Sequence, residues 1–399
     1  MKSNYKRIGN YIQEINVRND ELNVNNLLGI NIDKFFMPSV ANIVGTDMTM
    51  YKIVKNGQFA CNRMHVGRDK RLPVALLKQA DDVIISPAYN VFEIIDKEVL
   101  NPEYLMMWFS RKEFDRNAWF YTDADVRGGL NWKDFCNMQL PVPSIVKQKE
   151  IVEEYNVLVN RINLNNSIIQ KLEETAQALY KQWFVNFEFP DDNGKPYKSN
   201  GGEMKYSQDL GKEIPKEWKA GVLSDIAIII MGQSPEGESY NNDEIGMIFY
   251  QGRTDFGFRF PDITTYTTSP KKKAQKGDIL LSVRAPVGDL NIAIKECSLG
   301  RGVAALRSKN KCNSHLFYLM QTLKSQFDAS NGEGTVFGSI NKADLYGLST
   351  VYSENEIINF EKQVSVIDYK IKYNSVQNKI LISLKELLYA KMTKQRSSV

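Results

Sequence analysis

Histidine is nearly absent from this chain, with two residues, His65 and His315, in 399, and its four cysteines, Cys61, Cys136, Cys297 and Cys312, show no C-x-x-C spacing. A structural zinc site therefore has no ligand set at a recognisable spacing, and neither a Ser-His-acid arrangement nor a paired-carboxylate spacing is present. The cysteines read as small buried apolar side chains in a reducing compartment. Long apolar runs are missing too: no stretch of about 18 such residues occurs, which excludes a membrane-spanning helix. Met1 to Val17 lacks the apolar segment of a secretory signal, so a cytoplasmic protein is expected. No G-x-x-x-x-G-K-[ST] loop and no strand-linked G-x-G-x-x-G is found, so the chain lacks the usual cradles for nucleotide phosphates. A large excess of one charge is also absent. The net charge of +4 permits a polyanionic partner without requiring one.

What is present is the balance of a folded protein, 43% hydrophobic and 25% charged, in a chain long enough for two or three domains. Its clearest feature is a run in which Ile151, Tyr155, Leu158, Ile162, Asn165, Ile169, Leu172, Ala176, Leu179 and Trp183 follow one another at alternating steps of four and three. That spacing is a coiled-coil seam. Pro141 and Pro143 precede it, Ser144 can cap it, and Pro190 with the following Asp-Asp-Asn-Gly turn ends it, predicting a helix of roughly 40 residues and about 60 Å. A helix of that length needs a partner. A second run supplies it: Ser353, Phe360, Val364, Ile367, Ile371 and Asn374 each lie 209 positions after Ser144, Ile151, Tyr155, Leu158, Ile162 and Asn165. Glu356 completes a Ser-x-x-Glu capping box, and beyond Asn374 the apolar phase slips to Ile380, Leu384 and Leu387.

The chain is thus an internal duplication. Leu130 to Phe135 parallels Ile340 to Leu345, Lys112 to Asp115 loosely parallels Lys324 to Asp328, and Asp82 to Ser86 matches Asp278 to Ser282 as a short buried strand. Asn165 and Asn374 each place a polar residue near the middle of a seam, where one either sets register or stands solvated on its helix. If the helices pair antiparallel, the two asparagines should approach each other. Asn101-Pro102-Glu103-Tyr104 lacks the second proline of an adenine-gripping motif and reads as a helix cap followed by a preset φ. Gly300-Arg301-Gly302 and Gly332-Glu333-Gly334 read as turns.

Three stretches carry a resemblance. Leu140-Pro141-Val142-Pro143 with Gln148 to Val152, Ala178 to Pro190, and Ile214-Pro215-Lys216-Glu217-Trp218 with Leu223 to Ile226 and Gly232 to Pro235 together resemble the specificity subunit of type I restriction-modification systems. The first half lacks the Ile-Pro-x-x-Trp opening, and the second helix has no equivalent of Trp183 to Pro190. The resemblance implies a mixed α/β (α+β) fold in which two target-recognition domains are separated by two long helices forming an antiparallel intramolecular coiled coil. Its expected segments are a first recognition domain over 1–140, the central helix over 141–190, a connecting segment over 191–220, a second recognition domain over 221–351 and a C-terminal helix over 352–399. It further implies double-stranded DNA as ligand, two modification (methyltransferase) subunits as partners and restriction subunits reached through them. On that reading the chain carries no catalytic, cofactor or metal site. S-adenosylmethionine, ATP and Mg belong to the partner subunits.

Reading DNA requires cations for phosphate and planar donors for base edges. Two stretches fit. One is the basic loop Asn62 to Arg71, with Arg63, Arg68, Lys70 and Arg71; the other runs from Gln251 and Arg253 through Arg259 and Lys271, Lys272 and Lys273 to Arg284. Either could instead be a solvated charged loop. Tyr89, Asn90 and Arg127 are secondary candidates. Each domain is expected to enter the major groove, with half-sites about one helical turn, ~34 Å, apart. Trp183, Phe184 and Phe187 crowd one helix end and either close a junction with the recognition domain or form a docking site for a partner subunit. A coiled-coil scaffold without DNA readout shares the helices, and the basic loops at matching places in both halves distinguish the DNA reader from it.

Overall fold

The computed structural model describes residues 5–40, 45–122, 128–332 and 339–393. The chain divides into two compact units, Met1–Asn165 with Gln377–Val399, and Asn166–Val376. Each holds a β-rich domain and a stretch of both long helices, so the mixed α/β fold and the internal duplication are found as expected. The first long helix is Ile145–Tyr180 and the second is Glu354–Thr393.

The two β domains share one four-stranded sheet order. In the first unit, β1 (Ile12–Ile15), β2 (Phe59–Cys61), β3 (Val74–Leu76) and β4 (Asn90–Ile94) form an antiparallel sheet in the order β1-β4-β2-β3. In the second, β5 (Ala227–Met231), β6 (Ile279–Ser282), β7 (Leu290–Ile292) and β8 (Val303–Ser308) form one in the order β5-β8-β6-β7. Each sheet leads into a helix, Pro102–Phe109 after β4 and Asn313–Gly332 after β8. Asn101 caps the former, accepting from the backbone N–H of Glu103 and Tyr104 at 2.9 and 3.1 Å, which is the role its Asn-Pro sequence suggested. Asn131 and Asn341 cap the short helices Trp132–Asn137 and Lys342–Tyr346 in the same way. In both units a strand just before the long helix, Gln139–Pro141 or Ser349–Tyr352, then pairs antiparallel with a strand from the start of that half.

This order corrects one strand match. Val83–Ile85 lies outside the four-stranded sheet and pairs with Lys52–Val54, so the counterpart of Ile279–Ser282 is Phe59–Cys61. A short run of buried aliphatic residues looks the same in either sheet, because complete burial erases the alternation that marks a face.

The helices run antiparallel in each unit. In the first, Tyr155 meets Tyr389 across the seam, with hydroxyls 3.1 Å apart, and Glu154 pairs with Lys391 at 2.8 Å. Asn165 is fully buried, and its amide donates to Gln377 and Asn378, each at 2.8 Å. These partners lie one turn beyond the asparagine that the seam spacing suggested. In the second unit Asn374 is buried, with its amide nitrogen unpartnered among the described residues. The slipped phase Ile380, Leu384 and Leu387 is not the seam. All three are exposed, while Asn378, Leu381, Lys385, Leu388 and Met392 continue the inward face at steps of three and four. Apolar periodicity finds a stripe but does not say which of two stripes is covered.

Gln148 anchors the start of the first helix, accepting from Asn101 N at 2.8 Å and donating to the carbonyls of Val99 and Pro143, both at 2.9 Å. At its far end the helix widens into a π turn, Lys181–Val185, with Asn186 N bonded to Lys181 O at 2.9 Å. The consecutive rings of Trp183 and Phe184 are both buried there, and Phe187, at φ +61°, follows them inward. They pack on Trp218, Phe360 and His315. Burial in this ring cluster pushes the His315 imidazole down to about 3, so it adds no charge to the core. With each ring about 3% exposed, Trp183, Phe184 and Phe187 are corrected from docking candidates to core residues.

A buried ion cluster ties the β domain of the second unit to its helices. Arg259 is 1% exposed, and its guanidinium contacts Glu173 of the first helix and Asp368 of the second. Tyr318 accepts from Arg259 at 3.0 Å and donates to Asp368 at 2.9 Å, and Gln321 donates to Glu173 at 2.9 Å. Burial pushes the Asp368 carboxyl above its ordinary range, with Arg259 pulling the other way.

Two outcomes follow from these cores. Trp183→Ala should destabilise the Asn166–Val376 unit by about 3–5 kcal/mol, measured by denaturant unfolding. Arg259→Met should cost about 3–5 kcal/mol at pH 8, because it strands two buried carboxylates. Without the guanidinium, the folded-state pKa of Asp368 rises further above its unfolded value. The folded variant then binds more protons than the unfolded chain, so stability lost at high pH returns as pH falls through the folded pKa. Denaturation of variant and wild type at pH 8 and pH 5 should show a smaller difference at pH 5.

Candidate nucleic-acid interface

In the first unit the basic stretch forms the connection from β2 to β3, with a helical turn at Val66–Asp69. Its first arginine faces inward. Arg63 donates to Asn90 Oδ1 at 2.8 Å and to the carbonyl of Leu130, and lies 5.7 Å from the Trp132 ring centre. Asn90, bonded also to Glu14 at 2.6 Å, belongs to the same web, and Tyr89 offers its carbonyl to Lys52. Arg68, Lys70 and Arg71 are exposed. Arg68 pairs with Asp69 at 2.7 Å, Arg71 with Asp33 at 2.8 Å, and Lys70 lies 4.9 Å from the centre of the Trp119 ring. Gly67 passes so close to Gly128 that a Cβ on it would stand 2.7 Å from the Gly128 Cα, and its N–H donates to the Gly128 carbonyl at 2.7 Å. Arg127 lies outside the described residues.

The second unit contains a cleft of about 820 Å3 that gathers Gln251, Arg253 and Arg284 from positions far apart in the sequence. Gln251 and Arg253 follow the strand Met247–Tyr250 in a turn held by Asp255, whose carboxylate accepts from the N–H of Gln251 at 2.7 Å. Arg284 stands in the β6–β7 connection. Ser282 fixes that loop by donating to the Pro286 carbonyl at 3.0 Å and accepting from Asp289 N at 2.9 Å. Leu130 N bonds to Arg63 O in one unit and Ile340 N to Val283 O in the other, each at 2.9 Å, so the β2–β3 and β6–β7 connections occupy equivalent places.

Sequence reading missed three cleft residues, Arg301, Lys324 and Phe258. Arg301 sits in the Gly-Arg-Gly turn before β8. A Cβ on either flanking glycine would meet the backbone of Gln251 and its neighbour, at 2.9 Å for Gly300 and 2.6 Å for Gly302. That turn was the only sequence signal available for it. Lys324 comes from the helix Asn313–Gly332 and shares Asp289 with Arg253. Burial would raise the Asp289 carboxyl, but Lys324 and Arg253 hold it below the ordinary range. Arg284 and Arg301 are exposed, and among the described residues neither guanidinium has an ion-pair partner. Arg259 is corrected from the predicted stretch, because its side chain is consumed by the buried ion cluster. Lys271, Lys272 and Lys273 are exposed near the edge strand Lys273–Ala274 and do not line the cleft.

No group of three or more potential metal ligands occurs among the described residues, and none of their helices is long and apolar enough to cross a membrane. Burial pushes the thiols of Cys61 and Cys297 up to about 12, which leaves them inert as nucleophiles near neutral pH.

Residues 215–349, which supply most of the lining of this cleft, match the type I restriction modification DNA specificity domain. The putative type I restriction enzyme MjaX specificity subunit of Methanocaldococcus jannaschii is 33% identical over 256 residues, covering 63% of this chain and only 57% of that relative. The type I restriction enzyme HindI specificity subunit of Haemophilus influenzae is 23% identical over 90% of this chain and 91% of its own length. In fold, the chain is similar to a crystal structure of the type I restriction-modification S subunit from M. genitalium, with a TM-score of 0.62 at 13% identity over 98% of this chain and 96% of that one. With its two matching four-stranded sheets, two long helices and basic cleft, the chain is similar to the DNA specificity subunits of type I restriction-modification systems, and residues 215–349 match their DNA specificity domain.

Proposed function

We propose that this chain reads a split DNA target, one half-site for each unit, and directs adenine methylation and DNA cleavage by partner subunits. The observation that carries this is the cleft of the second unit, where Gln251, Arg253, Arg284, Arg301 and Lys324 converge within the stretch that matches the DNA specificity domain. Arginine pairs with guanine edges and phosphate, and glutamine with adenine edges, so the set suits both positioning and base readout. Support in the first unit comes from Arg68, Lys70 and Arg71, on the connection equivalent to the one that bears Arg284. The recognition regions proposed are 1–140 and 221–351, with the long helices as spacer and Asn165 and Asn374 as register residues.

S-adenosylmethionine, ATP and Mg would be used by two modification subunits and, through them, restriction subunits. Ile380, Leu384 and Leu387 support a helical docking partner: they form an exposed apolar stripe at helical spacing on the second long helix. The double variant Leu384→Glu and Leu387→Glu should abolish co-purification with the modification subunit while leaving the melting temperature within a degree or two of wild type, as surface substitutions do. The function itself is tested by a long-read methylome of a host that expresses the modification subunit with and without this chain. N6-methyladenine at one split motif, present only with the chain, is the expected outcome. Co-purification without any methylated motif would favour a scaffold.

A further inference from the structure

Phe258 contradicts the chemistry around it. It lines the basic cleft with its phenyl ring 72% exposed, between Gly257 and the buried Arg259. A large apolar side chain on a mobile loop would fold down onto apolar surface, because exposure to water is unfavourable. This loop cannot do so. Asn291 of β7, itself 2% exposed, accepts from Gly257 N at 3.1 Å and donates to the Gly257 carbonyl at 2.9 Å. Ile292 N donates to the Arg259 carbonyl at 2.9 Å, and the Arg259 guanidinium is locked between Glu173 and Asp368. The residues on both sides of Phe258 are therefore fixed to the sheet and the helices, and the ring is held out into the cleft.

We infer that Phe258 is a specificity-determining residue that contacts the 5-methyl group of a thymine in the major groove. This rests on the reading that the cleft binds DNA. Arginine and glutamine supply hydrogen bonds to purine edges, but the feature that marks a T·A pair in the major groove is an apolar methyl, which only an apolar surface rewards. An exposed phenyl in a cleft that also holds Arg253, Arg284 and Arg301, on backbone fixed at both neighbours, provides that surface with little further loss of backbone freedom. The adjacent Arg259 acts as a positioning residue, since it fixes the loop and stays away from the DNA.

The test uses the full chain with its modification subunit and duplexes that carry the methylated motif, with each thymine replaced in turn by uracil. Uracil lacks only the methyl group. For wild type, one replacement should weaken binding about fourfold, the value for one buried methyl-sized group. Phe258→Ala should bind the thymine duplex more weakly by at least that factor and be indifferent to the same replacement, while its response at other thymines stays that of wild type. Phe258→Leu should keep part of the discrimination. The inference is overturned if no thymine responds, if the motif contains none within reach of the second unit, or if Phe258→Ala retains the uracil penalty. A wedge that unstacks a base step would also show itself there, as weaker binding by Phe258→Ala with no uracil effect at any thymine. Failure of the DNA reading itself is separate: wild type would then bind motif and scrambled duplexes equally, or show no loss of affinity as salt is raised.

Discussion

One guanidinium organises the second unit. Arg259 is drawn from a loop of the β domain into a pocket where Glu173 and Asp368, one from each long helix, close on it, and Tyr318 bridges the set. Burying three charges in this way is a poor source of net stability, since desolvation offsets much of the attraction. Its effect is geometric. The planar fork of an arginine accepts two carboxylates only in a narrow range of orientations, so the 251–262 loop is held in one position against both helices. Gln251, Arg253 and Phe258 all belong to that loop, and the aim of the cleft depends on the cluster, whose Glu173, Arg259 and Gln321 also form part of its wall.

The duplication explains why the two units share a sheet order yet differ in what that sheet carries. Strand order, the asparagine caps at 131 and 341, and the strand pair that precedes each long helix are packing constraints, and packing tolerates few alternatives. The connection after the second strand of each sheet is bound at its base through Arg63 O and Val283 O, and further along by the Gly67 N–H to the Gly128 carbonyl in one unit and by Ser282 to Pro286 and Asp289 in the other. Between those bonds the two units differ: one has a helical turn with Arg68, Lys70 and Arg71, the other a short loop with Arg284.

Much of this was legible in the sequence, because period and offset are properties of the chain itself. The seam from Ile151 to Leu179, the 209-residue echo and the Asn-Pro cap at Asn101 all record local geometry. What could not be read is where one local feature goes when several are chemically alike. Arg253, Arg259 and Arg284 look equivalent in a basic stretch, but one pairs with Asp289, one is buried and one is exposed, and those fates depend on Glu173 and Asp368, about a hundred residues away on either side. Ile380, Leu384 and Leu387 are more apolar than Asn378 and Lys385, yet the polar pair takes the seam. Trp183 and Phe184 could both be core only because the helix widens to a π turn, and nothing in the local sequence announces a single extra residue in a turn.

On the proposed reading of the cleft as a DNA-binding surface, an unfavourable residue can sharpen recognition. Asp289 places a negative charge among Arg253 and Lys324 and lowers the attraction that all DNA would feel. A uniformly cationic cleft binds phosphate anywhere, with strength but little discrimination. By engaging Arg253 and Lys324 beforehand, Asp289 leaves Arg284 and Arg301 as the cations with open hydrogen-bonding capacity and holds the other two in preset directions. A ligand must then replace those ion pairs with contacts of equal quality, which a correctly placed base edge can do and a misplaced one cannot. If the cleft reads DNA as proposed, discrimination comes from making a wrong complex leave a partly buried group unpaired, and in this cleft that group is the carboxylate of Asp289, whose side chain is 21% exposed.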